Sequence, residues 1–295
     1  MKTLRDIGED ALIERLIKLV PQASGPAGPG DDCAVMDSGH DWLQLLKTDA
    51  LVENIHYLPQ AAPRAVGWKS IARVISDFAA MGGVPEHFLV TLALPPTLEI
   101  SWVEDFYKGI GDCLETFGAT LAGGETSSVP AGSSAVISIA ATGSVRKEHL
   151  VLRSTGKPGQ TILVTGTLGG SITGKHLDFT PRIKEAAWLV RHFKPSAMMD
   201  LSDGLGKDLP RLAAASQVGF ILDEKALPLS SGCTPAQAIG DGEDFELLLT
   251  IETEKVSALL DAWRTVFPAL PLTPIGHLVA VGEGQALQGG WEHFS

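Results

Sequence analysis

Cysteine is scarce in this chain, and its placement excludes two architectures. Cys33, Cys113 and Cys233 are odd in number and widely separated among the 295 residues. They build neither a disulfide framework nor a zinc signature, which suits a reducing cytoplasm. Positive charge is also short: 23 Lys and Arg stand against 35 Asp and Glu, a formal charge of −12. Nucleic-acid binders cluster their basic residues, so no nucleic-acid partner is expected. No apolar run approaches the ~20 residues of a membrane span. Near the N-terminus Leu12, Ile13, Leu16, Ile17, Leu19 and Val20 alternate with Glu14, Arg15 and Lys18. That spacing predicts an amphipathic helix, not a signal peptide. No period of roughly 20–50 residues recurs, which excludes a solenoid.

What is present describes a folded protein long enough for two domains: 44% of residues are hydrophobic and 20% charged. A Gly/Pro-rich loop at 25–30 precedes apolar runs at 33–36 and 42–46 that read as a strand pair. Helical spacing over Gly67–Met81 ends at Gly82-Gly83, and Trp102–Phe117 is helical up to Gly118. Strands are expected at 88–94 and 135–142, with a short one at 121–122 running into a Gly123-Gly124-Glu125-Thr126 turn. The second half predicts strands at 161–165, 196–200, 220–222 and 246–251, and helices at 183–192, 204–216 and 255–267. Pro210 fits that middle helix only in its first turn or at a kink. Strands and helices mix without strict alternation, so the fold class expected is α+β with mixed or antiparallel sheets. A charged segment near 146–150 separates domains at 1–148 and 149–295.

The chemistry is carried by acids at the ends of apolar runs. Asp31-Asp32 follows the Gly/Pro loop, Asp49 closes Leu43–Thr48, Asp77 ends Val74-Ile75-Ser76, and Glu125 follows Leu121–Gly124. Asp200 and Asp203 follow Ala197-Met198-Met199. Two adjacent carboxylates repel unless something positive sits between them, and a hard divalent cation keeps both ionised. With Thr48 and Ser202 as neutral oxygen ligands the set is all-oxygen, which selects Mg²⁺ or Mn²⁺ over zinc. Several Mg²⁺ ions would also let an acidic protein accept a phosphate substrate. The Asp200–Leu205 junction between strand and helix offers backbone N–H groups to phosphate and a cap by Ser202 or Asp203. Arg153 and Lys157 are the positive groups available to phosphate oxygens. His56 lies on the loop after Asp49, and Trp291 could stack on a ligand or pin the C-terminus.

One motif misleads. Gly169-Gly170-Ser171-Ile172-Thr173-Gly174-Lys175-His176 has P-loop spacing after a strand. However, His176 stands where a Ser or Thr should ligate Mg²⁺, and Pro181 shortens the helix. A glycine-rich helix entry packed on a strand is the better reading.

These stretches together resemble the thiamine-monophosphate kinases, of the superfamily that includes aminoimidazole ribonucleotide synthetase and selenophosphate synthetase. The resemblance rests on Gly30–Val35, Thr48–Glu53 with His56, Ser76–Gly82, Gly123–Thr126, Arg153–Gly159, Asp200–Leu205, Gly242–Leu247 and the terminal Trp291–Phe294. It implies a two-domain aminoimidazole-ribonucleotide-synthetase-like fold whose N-terminal domain pairs in a homodimer. It implies transfer of the ATP γ-phosphoryl onto thiamine monophosphate, giving thiamine diphosphate. It places Mg²⁺ ligands on Asp32, Thr48, Asp49, Asp77, Glu125, Asp200 and Asp203. Nucleotide contacts fall on Tyr107, Gly124, Glu125, Arg153 and Ser202, and substrate contacts on His56, Glu243 and Trp291.

The sequence departs from the family pattern beside the site. Glu125 replaces an Asp, Lys47 a small hydroxyl residue and Asp241 a glycine, and the usual Arg-Gly-Pro after Thr126 is missing. Two other readings therefore stay open: a superfamily member with another phosphate acceptor, and a non-catalytic binder of nucleotide or thiamine phosphate.

Overall fold

The computed structural model describes residues 2–37 and 39–294. The first five strands are β1 (Ala34–Asp37), β2 (Trp42–Val52), β3 (Val84–Leu94), β4 (Thr120–Ser128) and β5 (Val136–Arg146), joined in the order β1-β2-β5-β3-β4. Every neighbouring pair is antiparallel except β3 with β4. A parallel pair needs a crossover, and the helix α3 (Ile100–Phe117) supplies it. Along β2 and β5 the burial alternates residue by residue, so one face of this sheet packs on the core and the other is open.

The packed face lies against α2 (Pro63–Ala80) and α3. Pro63 sits in the first turn of α2, where a missing N–H costs no helical bond. The two helices meet at glycines. A Cβ on Gly67 would stand 2.0 Å from the Phe106 carbonyl oxygen, and one on Gly109 would stand 1.9 Å from that of Arg64. Only bare backbone fits there.

The second sheet contains β6 (Thr161–Thr165), β7 (Ala197–Asp200), β8 (Gly219–Leu222), β9 (Leu247–Ile251) and β10 (Leu272–Val279), in the antiparallel order β7-β9-β6-β10-β8. All of β7 and β9 is buried, because both faces are covered. Ile162, Val164, Met199 and Leu248 face α6 (Leu205–Ala215), whereas Leu163, Met198, Leu247 and Leu249 face α5 (Ile183–His192) and α8 (Val256–Val266). Ala79 and Ala80 of α2 join that second group, so α2 ties the two sheets together. Mixed helices and antiparallel sheets make this the expected α+β fold.

Several local expectations change. The N-terminal helix α1 runs Gly8–Ile17, earlier than its apolar pattern suggests, and buries none of its residues. The Gly123-Gly124 pair is not a turn. It lies inside β4, where a Cβ on Gly124 would stand 2.1 Å from the Val90 carbonyl oxygen. Pro210 sits within α6 beyond its first turn. Sequence periodicity did not find β10 or the short helix α7 (Pro235–Gly240), which Thr234 and Gln237 close with a capping box.

Candidate active site

Three carboxylates from distant parts of the chain converge. Asp32 precedes β1, Asp77 lies in the last turn of α2, and Asp200 ends β7. One ligand atom from each lies within 4.8 Å of the others, and all three residues are buried. Burial, with help from Asp32, pushes Asp200 up to about 6, and burial also raises Asp77 well above the usual carboxylate range. Their charge is partly balanced. Arg153 grips Asp32 with two nitrogens at 3.1 and 2.5 Å, Lys47 Nζ lies 2.6 Å from Asp77, and the Ser76 hydroxyl donates to Asp200 at 2.6 Å. Asp31, raised to about 6 by burial and then by Asp32, lines the cavity beside them. A trio of oxygen donors held this closely fits a hard divalent cation.

Asp77 and Asp200 of the trio border a cavity of about 600 Å³ that also receives Asp49, Arg73, Arg153, Ser202, Asp203 and Arg211. Arg73 pairs with Asp49 at 3.0 Å, and Arg211 with Asp203 at 2.5 Å. A second cavity of about 270 Å³ is lined by His56, Ile172, Asp241, Glu243, Trp291 and others. Arg73, Ser202, Asp203 and His293 border both, so the two chambers share a wall. One chamber is ionic and the other offers aromatic and apolar surface. Trp291 is 48% exposed there, so it is no core anchor. The tail that carries it is pinned by its N–H donating to the Asp203 carbonyl at 2.8 Å.

Glu243 is held for its task. The Lys69 ammonium, with its side chain fully buried, lies 2.8 Å away, and His176 Nδ1 lies 3.1 Å away. Against the effect of burial, His176 and Lys69 keep the Glu243 carboxyl down at about 2. His56 accepts the Val52 N–H on Nδ1 at 2.9 Å, and burial, then Arg73, pulls it down to about 4. It is a neutral ring at pH 7.

The cluster does not gather every expected ligand. Thr48 follows Lys47 on β2 and therefore faces the opposite side of the sheet, where its hydroxyl donates to the Ile139 carbonyl at 3.0 Å. Gly124 and Glu125 lie on β4, three strands from β2, or about 14 Å at the usual strand spacing. Tyr107 packs half-buried on α3 beside Phe106. None of these four lines either chamber. Lys157 is exposed and also lines neither.

The strand-to-helix junction also differs from expectation. Its N–H groups at Ser202, Asp203 and Gly204 are not free for phosphate, and neither Ser202 nor Asp203 caps the helix. Asp208 reaches back from α6 and accepts all three, at 3.0, 3.0 and 3.1 Å. The P-loop-like segment likewise donates inward: Gly169 N–H goes to Asp244 and Gly170 N–H to Asp241.

Sequence reasoning missed Lys69, Arg73, His176 and Asp208. The first two had a signal, because Lys69, Arg73 and Asp77 recur every four residues and form one polar stripe on an otherwise apolar α2.

Comparison with known proteins agrees with this geometry. Residues 30–145 match the family model described as AIR synthase related protein, N-terminal domain. A thiamine-monophosphate kinase of Aquifex aeolicus is 33% identical over 99% of both chains, and that of Bacillus subtilis is 30% identical over 88% of both. A solved structure of AaThiL complexed with AMPPCP and TMP superposes with a TM-score of 0.86 at 31% identity, covering 99% of each chain. Similarity of this extent, end to end, places the chain in a family: it belongs to the thiamine-monophosphate kinases.

Proposed function

We propose that this chain transfers the γ-phosphoryl of ATP directly onto thiamine monophosphate, in line, giving thiamine diphosphate and ADP. The two chambers with a common wall carry this reading. One is ionic enough for a polyphosphate, and the other suits an aromatic cation. The family relation and the AMPPCP and TMP of the AaThiL complex support the same pair of substrates.

The attacking phosphate oxygen is already ionised, so no strong general base is required. The task is to neutralise two polyanions and hold them in line. Asp32, Asp77 and Asp200, with Asp49 and Asp203, would hold Mg²⁺, which supplies charge neutralisation when bound. Arg153 and Arg73 offer planar donors to phosphate oxygens on the ionic side. Glu243, kept as a carboxylate by Lys69 and His176, faces the positive thiazolium, and Trp291 offers it an aromatic surface. Ser202 and His56 stand on the walls that position the two ligands.

Tyr107, Gly124 and Glu125 lie away from this centre. We assign them to nucleotide or metal contacts made across a homodimer, formed by an N-terminal domain of residues 1–148, with 149–295 as the C-terminal domain. The open face of the first sheet supports this, since it exposes Leu46 and Leu89 around a cavity of about 720 Å³. Free cysteines support a reducing, cytoplasmic setting. No helix among the described residues is long and apolar enough to cross a membrane.

The test is purified protein with ATP, Mg²⁺ and thiamine monophosphate, with thiamine diphosphate quantified. Turnover lost in both Asp77→Asn and Asp203→Asn is expected. Mg²⁺-dependent ATP binding without product would replace this reading by the non-catalytic one.

A further inference from the structure

Lys47 sits where a cation is needed. It lies on the inward face of β2, in register with Leu43, Leu45 and Asp49, and its ammonium is 2.6 Å from Asp77 Oδ1. Asp77 belongs to the trio whose ligand atoms lie within 4.8 Å of each other. Among the described residues, Arg153 is the cation paired with Asp32, Lys47 the one paired with Asp77, and Asp200 has only the Ser76 hydroxyl. Two fixed positive charges thus face three carboxylates. With a neutral residue at position 47, the cluster would carry one more uncompensated negative charge and a correspondingly stronger pull on divalent ions.

We propose that the Lys47 ammonium takes the place of one divalent cation at the Asp32–Asp77–Asp200 cluster, so that this chain holds one fewer tightly bound ion there. This rests on the reading of that trio as a cation site, but not on the identity of the phosphate acceptor. An ammonium is a compact charge with three donors. One is spent on Asp77. Lys47 also lines the ionic chamber, so its other donors can serve an anionic ligand there. A tethered charge differs from an ion in one practical way: chelators cannot remove it.

The test counts ions without using catalysis. Wild-type protein, Lys47→Ser and Lys47→Arg are titrated with Mn²⁺ alone, and free Mn²⁺ is read by electron paramagnetic resonance. Lys47→Ser should bind one more tight Mn²⁺ per chain than wild type, and Lys47→Arg should match wild type. Thermal unfolding gives a second reading. In EDTA Lys47→Ser should melt below wild type, and saturating Mn²⁺ should return about 5 °C of that loss while moving wild type much less. Circular dichroism identifies a variant that fails to fold, in which case Lys47→Thr replaces it. Equal ion counts in folded wild-type and Lys47→Ser protein would overturn the proposal. Failure of the kinase reading shows separately, as absent thiamine diphosphate whatever the ion count.

Discussion

At the residue scale, the site is built from charges that cannot be removed singly. Lys69 is fully buried and stands between Glu243 and His176. Taking away its counter-charge strands an ammonium in the interior, so Glu243→Ala should cost about 3 kcal/mol in denaturant unfolding at pH 7. Glu243 and the nearby His56 also contribute to the response to acid. His56 titrates near 4 in the fold against an ordinary 6.5. The unfolded chain takes that proton first, so stability present above 6.5 is lost as pH falls toward 4. Glu243, near 2 against an ordinary 4.5, adds a further loss as pH falls from 4.5 to 2. His56→Gln should flatten the upper part of that slope, by about 1–2 kcal/mol after allowing for its partial exposure, as read from unfolding free energies across the range.

At the element scale, two helices carry the account and behave differently. α2 bears Lys69, Arg73, Ser76 and Asp77 on one side and packs backbone to backbone on α3 through Gly67 and Gly109. Gly109→Ala should push these helices apart, cost about 1–3 kcal/mol in stability and lower activity by shifting the polar stripe. Thermal unfolding and turnover together check it. α1 has no buried residue and is held instead by ion pairs, Glu9 to Lys207 at 3.1 Å and Asp10 to Arg211 at 2.8 Å. Salt screens such pairs, so hydrogen exchange in α1 should speed up in about 0.5 M salt while α2 stays protected. Elements with strong periodicity, such as α2, α3 and β6, were legible in the sequence to within a few residues. Two glycine-bearing strands were not: β4 reads as a turn because of Gly123-Gly124 until β3 is beside it, and in β10 the register shifts between Pro274 and Gly276, which breaks its alternation. The acids Asp32, Asp77 and Asp200 were legible because each borders an apolar run, Asp32 at its start and the other two at its end. Arg73 and Asp208 were hidden inside helices, where only the helix face or a backward reach reveals their use, and the face of Thr48 follows from its register on β2.

At the scale of the whole molecule, the open face of the first sheet and the distant Glu125 argue for a shared site. Mixing two inactive variants, Asp77→Asn and Glu125→Ala, creates hybrid dimers in which one site carries both lesions and the other carries neither. Random reassortment should restore about a quarter of wild-type turnover, since half the dimers are hybrid and each hybrid has one intact site. Unmixed variants should stay inactive. The central claim, direct transfer between two adjoining chambers, is tested most directly by one turnover of [γ-³²P]ATP on excess enzyme with Mg²⁺ and thiamine monophosphate. The account predicts that the label leaves ATP and appears at the same rate in thiamine diphosphate, with none on the protein. Label released as inorganic phosphate, or held first on the chain, would contradict it.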